Sequence, residues 1–370
     1  MYKQNKLRNF IRYYDYKLVF LLSLLITIGV FAIGSAKPSL QNRQIFGALA
    51  GVAIMIIVSC IDYHLICICY IPIYIVNTVL LGLVLSNLGD DAGGAQRWLD
   101  IGIRFQPSEL AKILLILFFA QFIMLNKDKL NTFRTILLSI LLIIVPLVLV
   151  KKQPDLSTTI MIAILFCVMM YIGGISHKLI LGVLAVTIPL AVIFLTIVLQ
   201  PEQNIIESYQ QKRILAWLYP DDYADAEAYQ QTNSKMAIGS GQLLGKGYNS
   251  NEISSVKKGN FISEPQTDFI FAIIGEEWGF VGGCAVIILE ILAALECALI
   301  GWKARDLAGH VVAGGMAGLI CFQSFINIGV ATGILPNTGL PLPFVSYGLT
   351  SLLSLFIGIG VVMNIHLQNH

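Results

Sequence analysis

Glu264-Pro265-Gln266-Thr267-Asp268-Phe269-Ile270-Phe271-Ala272-Ile273-Ile274-Gly275-Glu276-Glu277-Trp278-Gly279 is where a long polar stretch gives way to an apolar run of membrane length. Pro265 suits the turn before a helix. Thr267 or Asp268 is placed to cap that helix by accepting hydrogen bonds from its free N–H groups. A carboxylate there sits at the positive end of a helix dipole, at a water–lipid boundary. It can serve as a plain cap, or as a base for a lipid-anchored substrate. Positions 268, 272, 275, 276 and 279 recur at helical spacing and read Asp, Ala, Gly, Glu, Gly. Such a small-residue stripe lets another helix or a lipid chain come close. It also carries a second carboxylate about 12 Å deeper. Ionisable groups inside a span are costly, and so are functional candidates.

The rest of the chain fits a membrane protein. Of 370 residues, 56% are hydrophobic and 12% charged, with mean hydropathy +0.78. A soluble domain carries about 25% charged residues. The net charge of +2 implies no nucleic-acid surface. The seven cysteines lie in or beside apolar runs, which argues against a disulfide framework. The basic N-terminus (Lys3, Lys6, Arg8, Arg12, Lys17) followed by a full-length apolar run reads as an anchored first helix.

Apolar runs long enough to span fall at 17–36, 44–61, 64–88, 108–125, 133–150, 157–175, 178–200, 268–300, 307–333 and 342–366. The expected fold is an all-α integral membrane protein of ten transmembrane helices in one polytopic unit, 1–370. A large extracytoplasmic loop, 201–267, separates helices 7 and 8 and carries short amphipathic pieces at the membrane surface. With the N-terminus inside, eleven Lys and Arg flank the inner ends and six lie in the short outer loops. That balance puts both termini in the cytoplasm. The Pro- and Gly-rich stretch 332–348 reads as a re-entrant loop before helix 10, tolerated only where protein or a wet cavity surrounds it.

Four polar clusters share the outer side under this topology: Arg97-Trp98 with Gln106 to Lys112; Lys151-Lys152-Gln153-Pro154-Asp155; Lys212-Arg213 with Lys246; and Glu264 to Glu277. Arg grips phosphate as a fork and Lys as a point charge. Trp98 suits stacking on a sugar ring, and equally the interfacial aromatic belt. Glu109 and Lys112, at i and i+3, suit either a ligand or a structural ion pair. Asp155 suits a helix cap or a site carboxylate. The five histidines are scattered and form no metal-ligand cluster. The chain has no Walker loop, Rossmann fingerprint or Gly-x-Ser-x-Gly elbow, so no organic cofactor is expected.

Five blocks resemble the SEDS family of RodA, FtsW and SpoVE, most of all RodA: GGAQRWLDIGIRFQPSELAK (93–112), QPDLST (153–158), KMAIGSGQLLGKG (235–247), EPQTDFIFAIIGEEWG (264–279) and NIGVATGILPNTGLPLPFVSYG (327–348). The chain departs from the family pattern at Gly348-Leu349-Thr350, at Ser157 and at Trp278. The resemblance implies a ten-span glycosyltransferase of the bacterial cell membrane. It would polymerise lipid II into peptidoglycan during elongation, beside a class B penicillin-binding protein, and its further partners are undecaprenyl-pyrophosphate-linked glycan and membrane lipids. By motif position Asp268 matches the family's essential acidic residue and Trp98 another required one. Arg97, Glu109, Lys112, Asp155, Arg213 and Ser346 follow as substrate-binding candidates, joined by Lys152, Glu264 and Thr267. The expected reaction is an inverting displacement with Asp268 as general base. A divalent cation, Mg²⁺ or Mn²⁺, is compatible with it; its ligands are unassigned, with Asp155 or Glu264 offered. The competing classes are a lipid II flippase and a non-catalytic scaffold. The clustering of polar groups on one side favours the enzyme.

Overall fold

The computed structural model describes residues 12–86, 89–92, 95–100, 104–200, 208–223, 228–249 and 262–369. Lys3, Lys6, Arg8 and parts of 201–267 lie outside the described residues.

The chain is mostly helical: α1 (Tyr16–Ala36), α2 (Pro38–Ser59), α3 (Tyr63–Ile68), α4 (Tyr70–Val84), α5 (Pro107–Leu125), α6 (Phe133–Lys152), α7 (Leu156–Ile172), α8 (His177–Val198), α9 (Ser208–Leu218), α10 (Tyr229–Ser240), α11 (Ile270–Trp302), α12 (Leu307–Ala331) and α13 (Leu349–Gln368). Among the described residues, seven helices are long and apolar enough to cross a membrane: α1, α2, α5, α6, α11, α12 and α13. The shorter α4 and α7 are also apolar. This is a multi-pass membrane protein. Its helices stay apolar on their outward faces, as at Phe20, Phe46, Leu49, Leu141 and Phe325, because lipid rather than water surrounds them.

Helices α5, α12 and α13 form the middle of the bundle, with most of their side chains buried. α11 packs along α12 and α1, and α13 along α2. At one end of the bundle, polar side chains fasten the helix ends together. Tyr63 Oη donates to Asp306 Oδ1 at 2.6 Å, and Asn364 Nδ2 donates to the Ser59 carbonyl at 2.8 Å. The polar clusters singled out in the sequence gather at the opposite end.

That end carries an element outside the expected set of helices. Residues 89–105 contain a three-stranded antiparallel sheet, β1 (Gly89–Ala92), β2 (Ala95–Asp100) and β3 (Arg104–Phe105). Leu99 is the hinge of its register, facing Gly89 on one side and Phe105 on the other.

The run 268–300, read as one span, is two helical pieces. Gly279 (φ 65, ψ −160) breaks α11, in a backbone region open essentially to glycine alone. The break exposes carbonyls at the end of one piece and N–H groups at the start of the next. The GQLLGKG stretch satisfies both sets. Lys246 and Gly247 donate their N–H to the carbonyls of Glu276 and Glu277 at 2.9 and 3.0 Å, and Phe280 and Val281 donate theirs to Gln242 and Leu243 at 2.8 and 3.2 Å. The approach is so close that a Cβ on Gly279 would stand 2.4 Å from the Gly245 nitrogen. The small-residue stripe therefore admits a helix: a Cβ on Gly275 would press on Ile238 of α10 at 3.0 Å.

Candidate functional site

The site is built around residues 264–269, which run without regular structure into α11. The helix begins at Ile270 with Phe269 in the N-cap position. The expectation that Thr267 or Asp268 caps it is corrected: the turn ends one residue later than the Pro265 signal suggests. Thr267 Oγ1 donates instead to the Glu264 carbonyl at 3.0 Å, which leaves the Asp268 carboxyl outside the cap.

The loop 332–348 wraps this segment. Ser346 is buried, donates Oγ to the Thr267 carbonyl at 2.6 Å, and accepts the Leu342 N–H at 2.8 Å. The Tyr347 N–H donates to the Gln266 carbonyl at 2.9 Å. From α12, Asn327 Nδ2 donates to the carbonyls of Asp268 (2.8 Å) and Leu340 (2.7 Å). Gly339 has φ +77, and a Cβ there would stand 3.3 Å from Asp268 Oδ2. The loop thus presses its bare α-carbon against the carboxylate. Ser157, at the start of α7, donates to the Thr338 carbonyl.

Asp268 is half-buried in this wrap. Burial pushes its carboxyl up to about 6, against the pull of Arg213 and then Arg97; the carboxylates of Glu264 and Asp155 add to the rise. All four groups therefore lie within electrostatic reach of one carboxyl. Arg97 is held in place by Nη2 donating to the Pro154 carbonyl at 2.6 Å, while its buried Nε has no hydrogen-bond partner. Arg213 lies half-buried on α9. Such a set is suited to base chemistry beside a phosphate-bearing leaving group.

The other sequence candidates divide. Trp98 follows Arg97 on β2, so the strand alternation turns it to the opposite face of the sheet. Lys152 is exposed in the last turn of α6, and Glu264 is exposed and accepts from Gln266. Asp155 caps α7, its oxygens accepting the Thr158 N–H at 3.1 Å and Thr158 Oγ1 at 2.8 Å. Glu109 and Lys112 are 4% and 2% exposed and bonded to each other at 2.8 Å. Lys112 Nζ also donates to Gln323 Oε1 at 2.7 Å, and Gln323 Nε2 donates to the Pro341 carbonyl at 2.8 Å. This pair reaches the site through the loop it supports.

Among the described residues no group of three or more His, Cys, Asp or Glu side chains is placed to hold a metal ion. Asp155, offered as a ligand, already spends its oxygens on a helix cap. Among the described residues, Asp155 and Glu264, the two ligands offered, are not joined in a three-residue cluster of metal-ligating side chains.

Sequence reasoning passed over Asn327, Gln323 and Gln44, whose Nε2 donates to the Ser346 carbonyl at 3.4 Å. Their one sequence signal is an amide inside or beside an apolar run, where an unsatisfied polar group is costly.

The family profile described as "Cell cycle protein", covering FtsW, RodA and SpoVE, matches residues 6–370. The chain is 36% identical to the peptidoglycan glycosyltransferase MrdB of Escherichia coli K12, over 94% of this chain and 92% of that one. It is 31% identical to the stage V sporulation protein E of Bacillus subtilis, over 95% and 96%. Among solved structures it resembles a chain from work on the coordination of polymerization and crosslinking by a peptidoglycan synthase complex, with TM-score 0.79, 28% identity, and 96% and 98% coverage. The crystal structure of Thermus thermophilus rod shape determining protein RodA gives TM-score 0.69 at 26% identity, covering 95% and 96%. The chain belongs to the FtsW/RodA/SpoVE family of cell cycle proteins.

Proposed function

We propose that this chain is a peptidoglycan glycosyltransferase that polymerises lipid II, with Asp268 as its general base. The observation that carries this reading is the Asp268 carboxyl, held between the loop 332–348 and α12 with Arg213 and Arg97 in electrostatic reach; burial there raises it to about 6. A base works best when its pKa lies near the operating pH. At neutral pH Asp268 is ionised and still basic enough to take the proton from the 4-hydroxyl of the acceptor GlcNAc. That oxygen bonds to C1 of the donor MurNAc as the bond from C1 to the diphosphate oxygen breaks. The electron pair leaves with undecaprenyl diphosphate, and C1 inverts. General-base help of this kind is typically worth about 10²–10⁴-fold. Arg213 and Arg97 face the negative charge that develops on the leaving group. Lys152, exposed at the end of α6, adds a point charge for the lipid-borne phosphates, and Trp98 offers a face for a sugar. Any Mg²⁺ or Mn²⁺ would arrive on the substrate's own phosphates.

The fold we assign to this activity has ten spans, with the loop 332–348 re-entrant before the last. Both termini are cytoplasmic, and the Asp268 end is extracytoplasmic, with 201–267 as its large loop. The Lys and Arg balance of the short loops supports that orientation. The greater identity to MrdB than to FtsW of Geobacter metallireducens, 36% against 32%, favours a role in elongation. We assign a class B penicillin-binding protein as partner, since the relative with TM-score 0.79 comes from a complex that joins polymerization to crosslinking.

One observation speaks for a second reading, lipid II transport. Glu290 is buried within α11, 2% exposed, and intramembrane carboxylates mark transport paths. The test is glycan polymerisation from lipid II by the purified protein, with and without a transpeptidase-blocked partner, against an Asp268→Asn control. Lipid II crossing a sealed bilayer without glycan product would favour transport.

A further inference from the structure

We propose that Asn327 is the positioning residue of the catalytic carboxylate, its side-chain amide locking the Asp268 main chain to the loop that lines the site. The inference rests on the reading of Asp268 as the base.

Asn327 lies on α12, 1% exposed. An amide nitrogen carries two hydrogens, and here both are used: one bond goes to the Asp268 carbonyl at 2.8 Å, the other to the Leu340 carbonyl at 2.7 Å. Both partners are main-chain oxygens, so the orientation of the amide is set by chemistry; only its NH₂ can face them. Neither acceptor belongs to a helix or strand. A single NH₂ group thus joins two irregular segments that have no ladder to hold them in register. Beneath it, one helical turn earlier, Gln323 repeats the device. Its Nε2 donates to the next carbonyl, Pro341, and its Oε1 is fixed by Lys112. Asn327 and Gln323, at i and i+4, therefore hold two consecutive carbonyls of the loop against α12.

The cost of the arrangement is visible. Asn327 Oδ1 is buried without a hydrogen-bond partner. That orphaned acceptor costs stability, which the two bonds to Asp268 and Leu340 offset. What the clamp fixes is geometry at the carboxyl. Gly339, next to Leu340, brings its α-carbon so near that a Cβ there would stand 3.3 Å from Asp268 Oδ2. Anchoring Asp268 and Leu340 to one nitrogen sets the separation between that carboxyl and the loop. It also holds the carboxyl against the groups that face it: Arg213 from α9, Arg97 from β2, Asp155 from the start of α7, and Glu264 from its own segment.

The test uses the full-length protein in lipid bilayers with lipid II as substrate. Asn327→Leu keeps the bulk and removes both donors; Asn327→Ser keeps one, and serves if the first variant does not fold. For Asn327→Leu we expect kcat to fall by about tenfold to a hundredfold, the scale of a displacement on the order of 1 Å, with KM for lipid II unchanged. Freed from the wrap, the carboxyl meets more water, so the acid limb of the pH–kcat profile moves to lower pH. Asn327→Ser should fall between. Unchanged kcat with an unmoved acid limb overturns the proposal. So does a loss in which KM rises with the fall in kcat and the limb stays put, because that is the mark of a generally loosened fold. Asp268→Asn run alongside separates the two claims. If that variant polymerises normally, the base assignment itself fails; if it is inactive while the Asn327 variants are normal, only the positioning role fails.

Discussion

Ser346 donates its hydroxyl to the main-chain carbonyl of Thr267 at 2.6 Å, one residue before Asp268. The same oxygen accepts the Leu342 N–H, so one buried hydroxyl closes the loop on itself and on the site. Ser346→Ala leaves a buried donor and a buried acceptor unmatched. The expected cost is about 1–3 kcal/mol, read as a lowered midpoint of thermal unfolding, together with reduced polymerisation. Unfolding and activity both at wild-type values would show that the hydroxyl does not hold the site together.

The raised carboxyl of Asp268 gives two pH effects of opposite sense. As a base it works only when ionised, so kcat/KM should fall tenfold per pH unit as pH drops through about 6. For stability, a carboxyl raised in the folded state holds its proton more tightly there than when unfolded. Its ionisation therefore destabilises the fold as pH rises from its ordinary range through about 6, and the penalty disappears at acid pH. Asp268→Asn should accordingly be inactive yet unfold at a higher temperature than wild type at pH 7.5, with the gap narrowing as pH falls through about 6 and closing at about 4. A pH–rate profile and a pair of melting series measure both effects.

Gly279→Ala forces a side chain into φ 65, ψ −160 and drives its Cβ to 2.4 Å from the Gly245 nitrogen. The strain is on the order of 1–3 kcal/mol before any clash. The stretch 241–247 should then leave its seat against the α11 break. Protease sensitivity confined to that stretch, with the bundle otherwise intact, is the expected result.

The Glu109–Lys112 pair separates a structural role from a binding one. Removing one partner strands the other charge in the bundle, at about 3–5 kcal/mol. Lys112→Met and Glu109→Gln should each lower the melting temperature sharply. The double variant should recover much of the loss, since no charge then remains unpaired. A double variant as unstable as Lys112→Met alone would show that the bond to Gln323, and not the pair, is what matters.

The helices were legible because an apolar run of span length has few other readings. Of the residues singled out in the sequence, Arg97, Arg213, Asp155 and Glu264 lie within electrostatic reach of the Asp268 carboxyl. What was hidden was what the main chain does. The hairpin at 89–105 is Gly- and Asp-rich in its first half, and its one alternating stretch, Leu99-Asp100-Ile101-Gly102-Ile103-Arg104-Phe105, is too short to stand out beside runs of span length. The break at Gly279 lies inside a run of span length, just after Glu276-Glu277, and what stabilises it is the backbone of residues 242–247, some thirty positions away. The clamps of Ser346 and Asn327 end on carbonyl oxygens, which every residue has, so no residue type at the far end advertises them. Glu109 and Lys112 stood at an ion-pair spacing, but nothing in that spacing tells a buried pair from a ligand. Their 4% and 2% exposure decides it.

The central claim is that Asp268 takes a proton during glycan polymerisation. Purified protein, with its transpeptidase-blocked partner, given lipid II at pH 7.5, should build a ladder of glycan strands. Asp268→Asn, equally folded and still binding lipid II, should build none. Ladders of normal length and rate from Asp268→Asn would contradict the account.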